Sequence, residues 1–510
     1  MSKNDLELLL IHPGGRRQVF QDLGESLTAV EPPLWCGLIA TNLRNHGCSV
    51  EIIDSDGENL SSEMVAKMVA EKQPLLVGMI VFGHQPSAST QMMPSAGVIC
   101  TEIKTLLPEQ KIIIVGGHVA ALPERTLAEE SVDFVCNGEG PYTIQGLIEY
   151  LRRREESDLG DIQGLVWRDG ETIRINPAAP LIEDLDRDLP GSAWDLLPME
   201  NYRAHNWHCF EDLSSRQPYA SVYTSLGCPF RCSFCCINAP FGMNRYRMRS
   251  AESVVNEIEL LYRDYGVRNL KIVDEMFVLN DRHVTGICEE LIDRGFAHDL
   301  NIWAYARVDT IRPNRISLLR RAGIRWLALG IESGSAYVRD GAEKSLDHND
   351  IVNIVRETQQ AGINVIGNFI FGLPNDDEAS LAETLGLAKA LNCEFVNFYS
   401  AMAYPGSPLH VMAEQNGWKL PQSWNGYSQH AYETLPLPTQ KLSAAEVLRF
   451  RDDAFHEYFT NPDYLDMIAG KFGGDARRHI EDMVHYKLPR KLFESASGGA
   501  SDQTAEAASA

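Results

Sequence analysis

Basic residues are in short supply: 46 Lys and Arg stand against 70 Asp and Glu in 510 residues, a formal net charge of -24. Binding a phosphate backbone needs basic surface, so this balance argues against a nucleic-acid partner. Long apolar runs are missing too. None approaches the roughly 18 residues of a membrane-crossing helix, and the opening MSKNDLELLLIHPGG lacks the basic, apolar and small-residue succession of a secretory leader. A cytoplasmic protein without a membrane span is expected. Its eleven cysteines, an odd number irregularly placed, do not make a disulfide framework, and a reducing compartment keeps them as thiols. Cys36, Cys48, Cys100, Cys136, Cys209, Cys288 and Cys393 read as small core residues. No G-x-G-x-x-G follows the first strand-like run, which argues against a dinucleotide.

What is present is a soluble globular composition, 44% hydrophobic and 23% charged, arranged as two β/α series. The first, residues 1–155, alternates strands beginning near Leu6, Ser49, Leu75, Lys111 and Asp133 with helices over Leu34–His46, Ser62–Glu71, Ser95–Leu107, Pro123–Glu130 and Pro141–Arg153. That order predicts a parallel, doubly wound sheet with ligands at the carboxyl ends of its strands. Those ends carry His12-Pro13-Gly14-Gly15, Phe82-Gly83-His84, Gly116-Gly117-His118 and Gly138-Glu139-Gly140, and glycine lets backbone approach a large ligand. Residues 156–215 read as a connector with a hairpin turning at Asp169-Gly170. The second series, 216–400, has strands at Tyr219–Leu226, Asn269–Asp274, Asn301–Ala306, Arg325–Gly330, Asn364–Phe371 and Glu394–Ser400. Residues 401–490, with Trp418, Trp424, Tyr427, His430 and Tyr432, read as a helical cap, and 491–510 as a disordered tail.

The most specific stretch is Thr224–Cys236, TSLGCPFRCSFCC, in which Cys228, Cys232 and Cys235 are spaced C-x3-C-x2-C. Thiolates on one loop suit zinc, copper(I) or an iron–sulfur cluster. Structural zinc wants a fourth ligand, and the nearest, Cys236, adjoins another candidate ligand. A [4Fe–4S] cluster held by three cysteines with one iron open is the more economical reading; a zinc knuckle and chance buried cysteines are the alternatives.

This spacing, with aromatic Phe234 before the last cysteine, resembles the radical S-adenosylmethionine (SAM) superfamily. The glycine-bearing strand ends, with the progression GGH, LPE and GEG, are similar to the cobalamin-binding domain that precedes many such enzymes. The resemblance implies an α/β chain: an N-terminal Rossmann-like, flavodoxin-type cobalamin domain, a partial (β/α)6 barrel and a C-terminal helical cap. It implies that Cys228, Cys232 and Cys235 hold the cluster, whose open iron chelates SAM, and that Asp274 and Glu275 occupy the turn that receives the SAM amino group. Arg307 and Tyr305 stand where relatives meet the SAM carboxylate or substrate. Gly330, Glu332 and Ser333 resemble ribose and methionine contacts, and Ile370 and Gly372 the adenine motif. Gly14, Gly83, Gly116, Gly117, His118, Gly138, Glu139 and Gly140 are the implied cobalamin-binding residues.

The D-x-H-x-x-G string of cobalt-ligating domains is missing from the first 155 residues and stands at Asp281–Gly286, inside the second series. His283 is therefore expected on a helix face rather than on cobalt. The family mechanism implied is methyl transfer to an unactivated carbon of a small molecule: a deoxyadenosyl radical from SAM takes a hydrogen and methylcobalamin supplies the methyl group. A flavodoxin or ferredoxin is the implied electron donor. The architecture also resembles the anaerobic porphyrin ring cyclase, which leaves cyclisation or rearrangement as the alternative; a non-catalytic cobalamin and iron–sulfur sensor is a third reading.

Overall fold

The computed structural model describes residues 6–21, 23–153 and 158–498. The N-terminal unit is built on β1 (Leu8–His12), β2 (Val50–Asp54), β3 (Leu76–Ile80), β4 (Ile112–Val115) and β5 (Phe134–Cys136), parallel in the order β2-β1-β3-β4-β5. Both faces are covered, so successive residues of β1 feed two cores: Leu8 and Leu10 pack with helix Leu34–Asn45, Leu9 and Ile11 with helices Ser62–Lys72 and Ala88–Leu106. Such two-sided burial is what continuous apolar strands such as Ile112–Val115 encode.

The structure differs from the sequence reading at two places. The connector hairpin, β6 (Leu165–Asp169) and β7 (Thr172–Ile175), does not stand apart; it adds antiparallel to β5 and makes a seven-stranded mixed sheet. The helix expected from Ser95 begins at Ala88 and runs through Pro94, a residue that reads as a helix start because it lacks an N–H.

The second unit opens with β8 (Tyr219–Val222), β9 (Ser225–Leu226) and β10 (Arg247–Met248), the last two forming a small ladder around the cysteine loop. With β11 (Asn269–Ile272), β12 (Asn301–Arg307), β13 (Ile324–Glu332), β14 (Asn364–Phe371) and β15 (Phe395–Ser400), β8 makes a six-stranded parallel sheet in sequential order. Its terminal strands β8 and β15 do not pair with each other, which is the partial barrel expected.

Several ties among the described residues join the units. Arg247 after the cysteine loop forks onto Glu139 (2.7 and 3.1 Å), both side chains 4% exposed. Lys271 on β11 reaches Glu31 at 2.8 Å. The segment 423–431 crosses to the N-terminal unit: Ser428 Oγ donates to the Val19 carbonyl at 2.7 Å, Gln21 donates to the His430 carbonyl, and Trp424 stands edge-on to His118 at 4.4 Å with Arg125 over its ring. Arg490 anchors that strap from behind through the carbonyls of Gln429 and Ala431. The expected tail begins as helix Lys491–Gly498; 499–510 lie outside the described residues. No described helix is long and apolar enough to cross a membrane.

Candidate active site

The cysteine loop is fixed before any ligand is considered. Asp274, buried at the end of β11, accepts from the Thr224 backbone at 2.6 Å and from the Thr224 and Ser225 hydroxyls, which sets the path of the chain into the loop. Gly227 turns it at φ +82°, where a Cβ would strike the Arg245 carbonyl. Asn238 then brackets the Cys228 peptide from both sides, at 3.2 and 2.9 Å. Ser233, between Cys232 and Cys235, donates its N–H to the Ala342 carbonyl at 3.2 Å and accepts from Leu409 N–H at 2.8 Å. Phe234 packs into the apolar cluster of Val338, Ile370 and Leu373.

Cys228, Cys232 and Cys235 all face one chamber, together with Glu275, Arg307, Glu332 and Lys344. Burial pushes the Cys228 thiol up to about 11 and Cys235 well above the usual thiol range. Cys232 is also raised by burial, against the downward pull of Lys344 and Arg307. Desolvation lifts Glu275 to about 8, so it is mostly protonated at neutral pH; an arriving cation would favour its ionised form. Arg307 is bidentate to Asp309 at 2.9 Å through Nε and Nη2 and donates from Nη1 toward Cys232 Sγ at 3.5 Å.

A second chamber adjoins the first and shares Gln85, Gln91, Tyr305, Ala328, Tyr399 and Gln429 with it. The two measure about 1280 and 1380 Å³, open mouths included. Gly14 and Gly83, at the ends of β1 and β3, line the second; Gly117 lines a smaller cleft that meets the first at Cys236 and Glu275. Arg16 Nη1 and His430 Nδ1 are buried along the second chamber without a hydrogen-bond partner among the described residues. Burial alone would raise Glu31, yet His84 and Lys271 outweigh it and hold the carboxyl well below its usual range.

Of the residues named from sequence, Phe234, Glu275, Arg307, Gly330, Glu332 and Ile370 join the cysteines in the first chamber. Asp274, Ser333 and Gly372 do not line it. Ser333 bonds Thr384, and the Gly372 N–H, with that of Leu373, donates to Asp376, closing the turn after β14. Gly116 lies against Val81 with no space for a side chain. Gly138 and Gly140 flank Glu139, which is committed to Arg247 and the Ile182 N–H, and none of the three borders these chambers. His118 is packed on Trp424 with Nδ1 at 3.2 Å from Thr90 Oγ1. His283 lies on helix Asp281–Asp293 and shares a hydrogen bond with Thr224.

Comparison with known proteins agrees with this layout. The profile of the Radical SAM superfamily matches residues 222–388, and that of the B12 binding domain matches 21–148. The chain carries a B12-binding domain followed by a radical SAM domain. An uncharacterized methyltransferase of Pyrococcus horikoshii is 28% identical over 464 residues, spanning 90% of this chain and 94% of that protein. The anaerobic magnesium-protoporphyrin IX monomethyl ester cyclase of Cereibacter sphaeroides is 26% identical over 79% of this chain, which covers 63% of the cyclase. Among solved structures, the radical SAM methyltransferase TsrM of Kitasatospora setae, with cobalamin and a [4Fe-4S] cluster bound, superposes with a TM-score of 0.67 over 96% of this chain and 99% of its own, at 18% identity.

Sequence reasoning missed several wall residues of this radical SAM site: Lys344, Asn368, Tyr399 and Gln429, and Gln85 and Gln91 from the B12-binding domain. Lys344 follows a short helix, Ala336–Gly341, outside any motif. The glutamines reach the chamber through contacts between segments remote in sequence, for which no local pattern exists.

Proposed function

We propose that this protein is a cobalamin-dependent radical SAM methyltransferase acting on an unactivated carbon of a small metabolite, sugar, lipid or natural product. One observation carries the reading: the thiol-lined chamber of the barrel and the chamber lined by the B12-binding domain's strand ends lie side by side and share six lining residues. The names of relatives, a methyltransferase over nearly the full chain among them, support it.

The residues present fit the groups. Three thiols stand ready for three irons; that no three described His, Cys, Asp or Glu side chains converge on a single ion is compatible with a cluster, whose ligands bind separate iron atoms. Cys228, Cys232 and Cys235 would hold the [4Fe–4S] cluster. Glu275, Gly330, Glu332 and Ile370, beside Phe234, would take SAM. Gly14, Gly83 and Gly117, with the unpaired nitrogens Arg16 Nη1 and His430 Nδ1, would meet the amide-rich periphery of cobalamin. When bound, these cofactors supply the one-electron chemistry and methyl carriage that a carbon without a lone pair demands.

The chain's own part is to orient and exclude. The shared wall of Tyr305, Tyr399, Gln91 and Gln429 is uncharged and hydrogen-bonding, suited to holding a polar neutral substrate face, and Gln429 is carried there on the strap that crosses to the N-terminal unit. A flavodoxin or ferredoxin-type donor and a cytoplasmic setting belong to the same proposal. The test is cobalt and iron per chain in anaerobically produced protein, followed by product mass. About one cobalt and four irons with a gain of one methylene unit is expected. Iron without cobalt would remove methylcobalamin from the reaction, and an altered oxidation level without added mass would favour cyclisation, the chemistry in the name of the cyclase relatives.

A further inference from the structure

The cysteine loop reaches the surface between its first two thiols. Pro229 and Arg231 are exposed and Phe230 is half-buried, whereas Cys228 beside them is buried. A second turn, residues 242–245, stands against this bulge. Asn244 donates a side-chain N–H to the Phe230 carbonyl at 2.9 Å, and the Gly242 N–H donates to the Asn238 carbonyl at 2.9 Å; Asn238 is the residue that brackets the Cys228 peptide. Bulge, turn and thiols are one frame.

The exposed side chains of that frame are mostly apolar or basic. Met243 is 52% exposed and Met248 of β10 41%. Arg231 has no ion pair among the described residues. Arg245 pairs with Glu183 where both stand open to water, an arrangement worth little by itself. On a chain of net charge -24, these arginines mark a place that an acidic protein can approach. Inward of them, the Phe230 ring packs 4.0 Å from the Arg307 guanidinium, whose Nη1 faces Cys232 Sγ at 3.5 Å. Phe230 is also two residues from Cys228 and two from Cys232, so a short covalent path joins the surface to two of the thiols.

We propose that this patch is the docking surface of a flavodoxin, whose flavin delivers its electron to the cluster across the Phe230 bulge. This rests on the radical SAM reading above. The fit is chemical: the dimethylbenzene edge of a flavin is apolar, methionine side chains adapt to its contour, and a rim of carboxylates around it would meet Arg231 and Arg245. Electron-transfer encounters bury less than about 1,200 Å², so a handful of side chains is enough. One electron passes: the partner's flavin hydroquinone is oxidised by one electron, the cluster held by Cys228, Cys232 and Cys235 is reduced by one, and no bond is made or broken.

The experiment follows anaerobic reduction of cluster-reconstituted protein by reduced flavodoxin and by photoreduced deazariboflavin, a small uncharged donor. Arg231→Glu/Arg245→Glu is expected to slow reduction by flavodoxin at least about tenfold at low salt and to flatten its dependence on ionic strength. The deazariboflavin rate and the iron content should not change. Met243→Glu should slow flavodoxin in the same way, and decides the matter if the double variant loses its cluster. Lys67→Glu/Lys72→Glu, on helix Ser62–Lys72 of the N-terminal unit, makes the same change in net charge elsewhere and should leave the flavodoxin rate near wild type. A wild-type flavodoxin rate in Arg231→Glu/Arg245→Glu, or an equal loss in Lys67→Glu/Lys72→Glu, would overturn the assignment. So would a wild type that deazariboflavin reduces and flavodoxin does not, or a patch on which only reduced ferredoxin depends. Wild type that holds no reducible cluster would overturn the radical SAM reading itself, and this inference with it.

Discussion

Cys232 receives the Arg307 N–H and lies under the charge of Lys344, so its sulfur is the one whose ionised form the protein supports most directly. Cys232→Ala is expected to fold, since the loop is held by Asp274, Asn238 and Ser233, yet to lose cluster iron and the ability to cleave SAM. Detectable 5′-deoxyadenosine from that variant would sink the cluster assignment. His118 tests burial in another way. Desolvation, helped by the charge of Arg125, lowers its pKa to about 3, against ~6.5 unfolded. The unfolded chain therefore binds a proton that the folded one excludes, and the stability this neutral ring contributes is complete above pH 6.5 and lost as the pH falls toward 3. Between pH 7.5 and 5 the loss from this residue is about 2 kcal/mol. His118→Asn should remove that share; equal shifts of the urea midpoint in both proteins would show that His118 is not held neutral. The cysteine loop stood out in the sequence because its spacing is local, whereas the placement of Glu139 and His118 away from the chambers was not legible there. Their partners, Arg247 and Trp424, come from far along the chain.

At the scale of elements, the Arg247–Glu139 fork joins β10 to the loop after β5. Removing one member leaves a buried charge uncompensated, so Arg247→Met should cost about 3–5 kcal/mol, and the double variant Arg247→Met/Glu139→Gln less than the sum of the singles. Urea unfolding of all four proteins makes the cycle; additivity would mean that the two groups are solvated rather than paired. The strands were readable from apolar runs bounded by turns, because burial on both faces leaves a continuous pattern. The sheet membership of β6 and β7 was not, since β7 presents mostly exposed residues and the hairpin's place depends on the free edge of β5, a non-local fact. Pro94 misled for the opposite reason: a strong local rule gave way to the packing of helix Ala88–Leu106 against the sheet.

For the whole molecule, the strap over 423–431 connects the cap, the barrel and the B12-binding domain. Trp424→Ala deletes the contacts to His118 and Arg125, aromatic and cation–π interactions each worth roughly 1 kcal/mol, and should speed cobalamin loss from loaded protein several-fold, read as absorbance lost on gel filtration. An unchanged release rate would remove the strap from cofactor retention. The division into two β/α units could be read from the sequence; the adjoining chambers could not, because their walls are assembled from both units. The barrel's lateral seam between β8 and β15 has a further consequence. Lys271 on β11, next to the edge strand β8, at 4% side-chain exposure and lodged by Trp303, finds its carboxylate on Glu31 of the other unit. The two units are therefore not modules in the engineer's sense: a barrel cut free, or grafted onto a foreign N-terminal domain, would inherit a stranded ammonium unless the graft brought an acid to the same place.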